Sequence, residues 1–291
     1  MRKNPMLAIF TTVFIDLLGF GILIPVFPLL ITDGPFRVTP DGWSFTQGMI
    51  MLGWLQAIYP FCMFIAAPIL GQLSDRHGRR PVLALSIFGT AIGYVLFAIG
   101  ISTGNLPLLF AARGLDGMTG GNLAVAQAAI GDISTHENRA KNFGYMGAAF
   151  GMGFIVGPYL GGKLSSPSVS FYGLFDTPHW FGATTPFWFA AILALLNCTA
   201  VLTTFPETIK EKFHGGKIRV GQSLNNVVNG FKSDRLRVIL ISSFLFSAGF
   251  TFFTTFFGVY LRNKFSFSSS KIGDYFAIVG LCIALSQGLV V

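Results

Sequence analysis

Eight apolar runs, each long enough to cross a lipid bilayer, constrain this chain more than any other feature. They fall at residues 6–31, 48–73, 82–101, 106–133, 143–165, 185–205, 237–261 and 271–291. A spanning helix needs about 20 mostly apolar residues at 1.5 Å rise each. Only 11% of the 291 residues are charged, whereas a soluble domain carries about 25%, so most of the surface must face something other than water. An all-α, polytopic membrane protein is the expected fold. The first run, at 26 residues, is too long for a signal-peptide core, contains Asp16 and precedes no small-residue cleavage site, so it is expected to stay as a span. Cys62, Cys198 and Cys282 all fall within apolar runs and imply no disulfide framework or metal pair.

Direction follows from the basic residues. With the N-terminus on the cytoplasmic side, fourteen of the 20 Lys and Arg residues fall in cytoplasmic segments 1–5, 74–81, 134–142 and 206–237. Arg37, Lys163, Arg262, Lys264 and Lys271 fall on the opposite side, and Arg113 lies within a span. This asymmetry accounts for the net charge of +8 and leaves a nucleic-acid partner nothing to explain. The expected partners are a lipid bilayer, protons and a small molecule.

The hydrophilic stretch 206–236 separates six runs from two. It divides the chain into a six-helix bundle at 1–205, a cytoplasmic linker at 206–236, with amphipathic character around 222–236, and a pair of helices at 237–291. Within the first six, Phe64-Ile-Ala-Ala-Pro-Ile-Leu-Gly71 is echoed by Phe154-Ile-Val-Gly-Pro-Tyr-Leu-Gly161 at an offset of 90 residues. Three helices separate the copies, so they cross in opposite directions, as in the inverted repeats of secondary transporters.

Three groups of residues carry chemistry. Between the second and third runs stands Gly71-Gln-Leu-Ser-Asp75-Arg76-His-Gly78-Arg79-Arg80-Pro81. Its glycines suit close approach and a tight turn, and Asp75 can pair with arginine or a helix N-terminus. In the fifth run, Gly153, Gly157 and Gly161 recur every four residues, which bares one helix face for packing. Pro158 follows Gly157 and invites a bend, and Gly162 extends the pattern. The third group is intramembrane charge. Asp16 sits about ten residues, roughly 15 Å, into its helix, where a charge costs on the order of 3 kcal/mol. Arg113 and Asp116, three residues apart, share a face of the fourth run. Either role, a self-neutralising pair between helices or a functional one, fits Asp116 at this point. Gln56, Asn122, Gln127 and Gln287 are candidate polar contacts in a central cavity.

The Gly71–Pro81 string resembles motif A of the major facilitator superfamily, and the Gly157-Pro158-x-x-Gly161-Gly162 pattern resembles motif C of its proton-coupled drug antiporters. Arg113, Gly117 and Gly120 are similar to motif B. Asp16 followed by Gly19, Gly21, Pro25 and Pro28, and Phe205-Pro206-Glu207-Thr208 after the sixth run, resemble the tetracycline-type exporters. The resemblance implies two six-helix bundles rocking about a midplane site, with the fragment here holding the first bundle and two helices of the second. It implies proton coupling at Asp16 and Arg113; the superfamily pattern often has Gln where Asp116 stands, so Asp116 is an added acid, counted with them for its place beside Arg113. It also implies a gating relay in which Asp75, Arg79 and Asp132 interact within the wider motif of Gly71, Arg76, Gly78 and Arg80. Motif C implies export of a drug-like compound in exchange for protons, and the family an inner membrane. With no HExxH or GxSxG string, and His77, His136, His179 and His214 all outside the apolar runs, neither enzymatic activity nor a cofactor is expected. Uptake of a metabolite or sugar, and a non-transporting sensor, remain alternatives on the same scaffold. Tetracycline exporters carry an acid just before a tyrosine in the third span. Here the pair is Gly93-Tyr94, so tetracycline itself is not implied. The eighth run ends at Val291 still within apolar sequence, as in a partial chain, with a short eight-helix protein as the alternative.

Overall fold

The computed structural model describes residues 5–32, 34–171, 175–209 and 221–290. Among the described residues ten helices run in the order α1 (Pro5–Ile31), α2 (Phe45–His77), α3 (Arg79–Ser102), α4 (Leu106–Thr119), α5 (Asn122–Ile133), α6 (Arg139–Leu164), α7 (Thr185–Thr204), α8 (Gln222–Lys232), α9 (Asp234–Phe265) and α10 (Ser269–Val290). Between α6 and α7, Ser170–Phe171 and Phe175–Asp176 form a minimal antiparallel pair, β1 and β2, outside the helical core.

Six of these helices, α1, α2, α3, α6, α7 and α9 from Leu236, are long and apolar enough to cross a membrane. The fourth apolar run differs from the single span read from the sequence: it is broken into α4 and α5 at Gly120 and Gly121. Each glycine costs about 1 kcal/mol in a helix interior, and α2 presses on both. A β-carbon at Gly120 would come within 2.8 Å of the Tyr59 hydroxyl, and one at Gly121 within 3.0 Å of the Ala67 α-carbon. The break therefore lies where α2 approaches too closely for side chains. It leaves Asn122 as the first residue of α5.

The second and third spans are joined by one residue rather than a loop. Gly78 has φ +109°, a conformation costly for any residue with a β-carbon. The linker likewise contains regular structure, since the amphipathic stretch expected at 222–236 holds α8 and the first residues of α9. Residues 210–220 of that linker lie outside the described ones.

α1 lies at the centre. Its buried Ile9, Val13, Leu18, Ile22, Leu23, Val26, Phe27 and Leu30 pack into a core shared by α2 through α7. By contrast α9 turns Phe244, Leu245, Phe246 and Phe252 outward, each at least 63% exposed. That arrangement suits a helix wall against lipid and would be unfavourable in water.

Candidate functional site

The glycine stripe of α6 decides how the site is built, because it sets α6 directly on α1. A β-carbon at Gly157 would lie 2.7 Å from the Leu18 carbonyl oxygen and 2.9 Å from the Gly21 α-carbon; one at Gly161 would lie 2.6 Å from the Ile22 carbonyl oxygen. At Gly153 the neighbour is Leu17, 2.6 Å from the same construction. Gly162 faces the other way, toward Ser269 and Gly273 of α10. Pro158 packs on Gly21 of α1. With α6 this close, α1 is held against the remaining helices and Asp16 is brought to α5.

The Asn122 side-chain amide donates to the carboxylate of Asp16. Beside this pair, Arg113 Nη1 donates to Asp116 Oδ2 at 3.0 Å, and Nη2 donates to Gln56 Oε1 at 3.3 Å. The guanidinium lies over the Tyr59 ring, 4.6 Å from its centroid, a cation–π contact that a partly desolvated arginine favours. Arg113, Asp116, Gln56 and Asn122 are all 7% exposed or less. Asp16, Arg113, Asp116 and Asn122 line one small cavity together with Phe20, Tyr59, Thr90 and Tyr94. Its free volume of about 10 Å³ is on the order of what one water molecule needs. Two carboxylates thus share a tight compartment with one guanidinium. Arg113 Nε is buried without a hydrogen-bond partner among the described residues. A buried donor left unmet is costly.

Of the four polar cavity candidates, Gln56 and Asn122 join this cluster. Gln127 does not: it lies on the exposed face of α5, about 140° around the helix from Asn122. The side chain of Gln287 lies outside the described ones. Tyr59, Tyr94 and Thr90 were not anticipated from the sequence; an aromatic or hydroxyl residue within an apolar run carries no signal that separates lining from packing.

The second cluster sits at the α2–α3 joint. Arg79 is buried, with Nη1 2.6 Å from Asp75 Oδ1 and Nε 2.9 Å from Asp132 Oδ2. Arg79 Nη1 also donates to Ser74 Oγ at 2.6 Å. The three residues expected to form the relay are therefore in direct contact. Gly71, by contrast, has nothing within 4 Å of where a β-carbon would stand, so among the described residues it serves no close approach. Arg76 is half-buried on the last turn of α2, and the Arg80 backbone N–H donates to Glu207 Oε2 at 3.3 Å.

Glu207 is a residue whose role the sequence did not reveal. It accepts from the Arg79 backbone N–H at 2.9 Å as well, supplying from the end of the sixth span the cap that Gly78 cannot give α3. Thr208 Oγ1 donates to Asp132 Oδ2 at 3.1 Å. The segment leading into the linker is thus tied to the charge cluster. Glu207→Ala is expected to lower stability by about 1 kcal/mol, as loss of a helix cap does. Glu207→Gln, which keeps one acceptor oxygen, is expected to lose less. Thermal melts of the two variants in detergent check this.

A bundle of membrane-crossing helices around buried, mutually bonded acid and arginine side chains defines a multi-pass membrane protein with an intramembrane polar site. Comparison with known proteins makes the class specific. The family model for the Major Facilitator Superfamily matches residues 9–291, and the chain belongs to that superfamily. It is 30% identical to the class H tetracycline resistance protein of Pasteurella multocida over 291 residues, all of this chain and 66% of that one. It is 32% identical to the class C tetracycline resistance protein of Escherichia coli over 292 residues, 99% of this chain and 66% of that one. Among solved structures, the human organic anion transporter MFSD10 (TETRAN) superposes with a TM-score of 0.69 at 23% identity, covering 98% of this chain and 71% of that one. The chain thus spans about two thirds of the length of these relatives.

Proposed function

We propose that this chain is the larger part of a secondary transporter that exports a small amphipathic compound in exchange for protons, with its N-terminus in the cytoplasm. The observation that carries this proposal is the compartment in which Asp16, held by Asn122, shares space with the Arg113–Asp116 pair. Buried carboxylates beside a single arginine can take up and pass on a proton. In a superfamily member such groups are well placed to couple a proton gradient to movement. Asp75, Arg79 and Asp132 are proposed as a gating cluster, with Gly71, Arg76, Gly78 and Arg80 as its frame. Gly153, Gly157, Pro158, Gly161 and Gly162 are proposed as the packing surface on which α1 and α10 move.

The named substrate of the tetracycline resistance relatives suggests the chemical class but not the compound. Gly93, before Tyr94, packs against Asp116: a β-carbon there would stand 3.2 Å from the Asp116 β-carbon. Any acid introduced at 93 would crowd that carboxylate, so the proposal is for amphipathic compounds at large. The test is transport by the full-length protein in inverted vesicles, after a resistance screen in an efflux-deficient host has supplied a substrate. Imposing an inward-acid gradient is expected to drive that substrate into the vesicles with counterflow of protons. Gradient-driven movement in the opposite sense would mean an uptake system instead.

A further inference from the structure

At the end of the molecule opposite the Asp75–Arg79–Asp132 cluster, helices of the six-helix group meet α9 and α10. Lys163, one residue before the end of α6, reaches across to α10. Its Nζ donates to Asp274 Oδ2 at 3.0 Å and to Ser270 Oγ at 2.8 Å, and it lies 5.5 Å from the centroid of the Tyr159 ring. The lysine side chain is 11% exposed and that of Asp274 44%. Directly beside the pair, α6 and α10 cross with no side chain between them. A β-carbon at Gly162 would stand 2.6 Å from the Ser269 carbonyl oxygen and 2.9 Å from the Gly273 α-carbon. On the same end, Arg262 Nε of α9 donates to Thr32 Oγ1 just after α1 at 2.9 Å.

We infer that the Lys163–Asp274 pair is a latch that closes this end of the molecule, with the bare Gly162–Gly273 crossing as the surface on which α6 and α10 separate or slide. The two features do different jobs. A glycine crossing supplies contact area with little directional bonding, so it resists sliding weakly. The ion pair is directional and bridges the two helices, so it must break when they part. A groove lined by Ile155, Val156, Tyr159, Ala277, Ile278 and Leu281 runs away from the pair between the same two helices, so nothing on that side of the described structure blocks their separation. At the opposite end, among the described residues, the side chains of Asp75, Arg79 and Asp132 bond to one another, to Ser74 and to Thr208, and the Arg79 backbone N–H bonds to Glu207, all before α8. The described ion pairs therefore cinch the two helix groups at one end only.

The latch can be tested without knowing the substrate or the direction of transport. Spin labels would be placed at Thr103, in the exposed turn after α3, and at Lys264, exposed near the end of α9. The background is the full chain with Cys62, Cys198 and Cys282 replaced, held in lipid nanodiscs. Distances between the labels report opening of this end directly. Asp274→Asn and Lys163→Met are each expected to raise the open population by roughly two- to fivefold, the range for loss of a partly exposed ion pair. The exchange Lys163→Asp with Asp274→Lys is expected to return the population toward that of the parent. An unchanged distance distribution in both single variants overturns the latch. So does an exchange variant as open as the singles, because the effect would then come from altered packing. A folded, monodisperse exchange variant keeps the test decisive if either single variant folds poorly.

Discussion

Asp16→Asn is expected to reduce proton-driven transport to the level of passive leak while substrate binding stays measurable. The substitution removes a titrating group and little else. Asn has nearly the same volume, and its side-chain oxygen can still accept from the Asn122 amide that now bonds the carboxylate. α1 should therefore keep its seat against α6. What the proposed mechanism would lose is the ability to exchange a proton within a compartment where Asp116 is already engaged by Arg113. Binding by scintillation proximity or tryptophan quenching, beside flux in proteoliposomes with and without a pH gradient, separates the two effects. Parent-like gradient-driven flux in this variant would remove Asp16 from any coupling role.

The second large effect is expected at Gly157. Its α-carbon faces backbone rather than movable side chains, since a β-carbon would stand 2.7 Å from the Leu18 carbonyl oxygen and 2.9 Å from the Gly21 α-carbon. Gly157→Ala therefore forces α1 and α6 apart, and overpacking of this kind costs about 1–3 kcal/mol. Gly151→Ala is the matched control on the same helix, because nothing lies within 4 Å of its β-carbon position. There the loss of backbone freedom in the unfolded chain should leave stability unchanged or raise it by about 0.4–1 kcal/mol. Opposite signs from the same chemical change on one helix would assign the effect to packing. Equal effects would make the stripe incidental. Melting temperatures in detergent, with transport measured alongside, provide the comparison.

Much of this architecture could be read from residue order, for physical reasons. Hydropathy is summed over about twenty residues, so a span announces itself even when its ends shift. α2 extends to Phe45 and His77, beyond the apolar window 48–73, because the flanking Ser44 cap and the charged last turn continue the helix outside the apolar core. Arg79 could be placed with Asp75 and Asp132 only through family resemblance, because the partners sit on three different helices. Glu207 stood out only as part of the Phe205–Thr208 resemblance; its capping contact lies 128 residues away, and no local pattern encodes it. The Gly120–Gly121 break was hidden for the opposite reason. Two glycines in an apolar run look the same whether they allow a neighbour to pack or end the helix, and here they do both.

The break also gives α5 a mechanical character. Its first residue, Asn122, is fastened to Asp16 in the middle of the bundle, and Asp132, next to its last, is fastened to Arg79 at the α2–α3 joint. Between them lie about ten residues of uninterrupted helix, roughly 15 Å long, joined to α4 only through Gly120 and Gly121. The two charge clusters are therefore fastened to opposite ends of one short helix, so a shift of α5 along its axis would be felt at both.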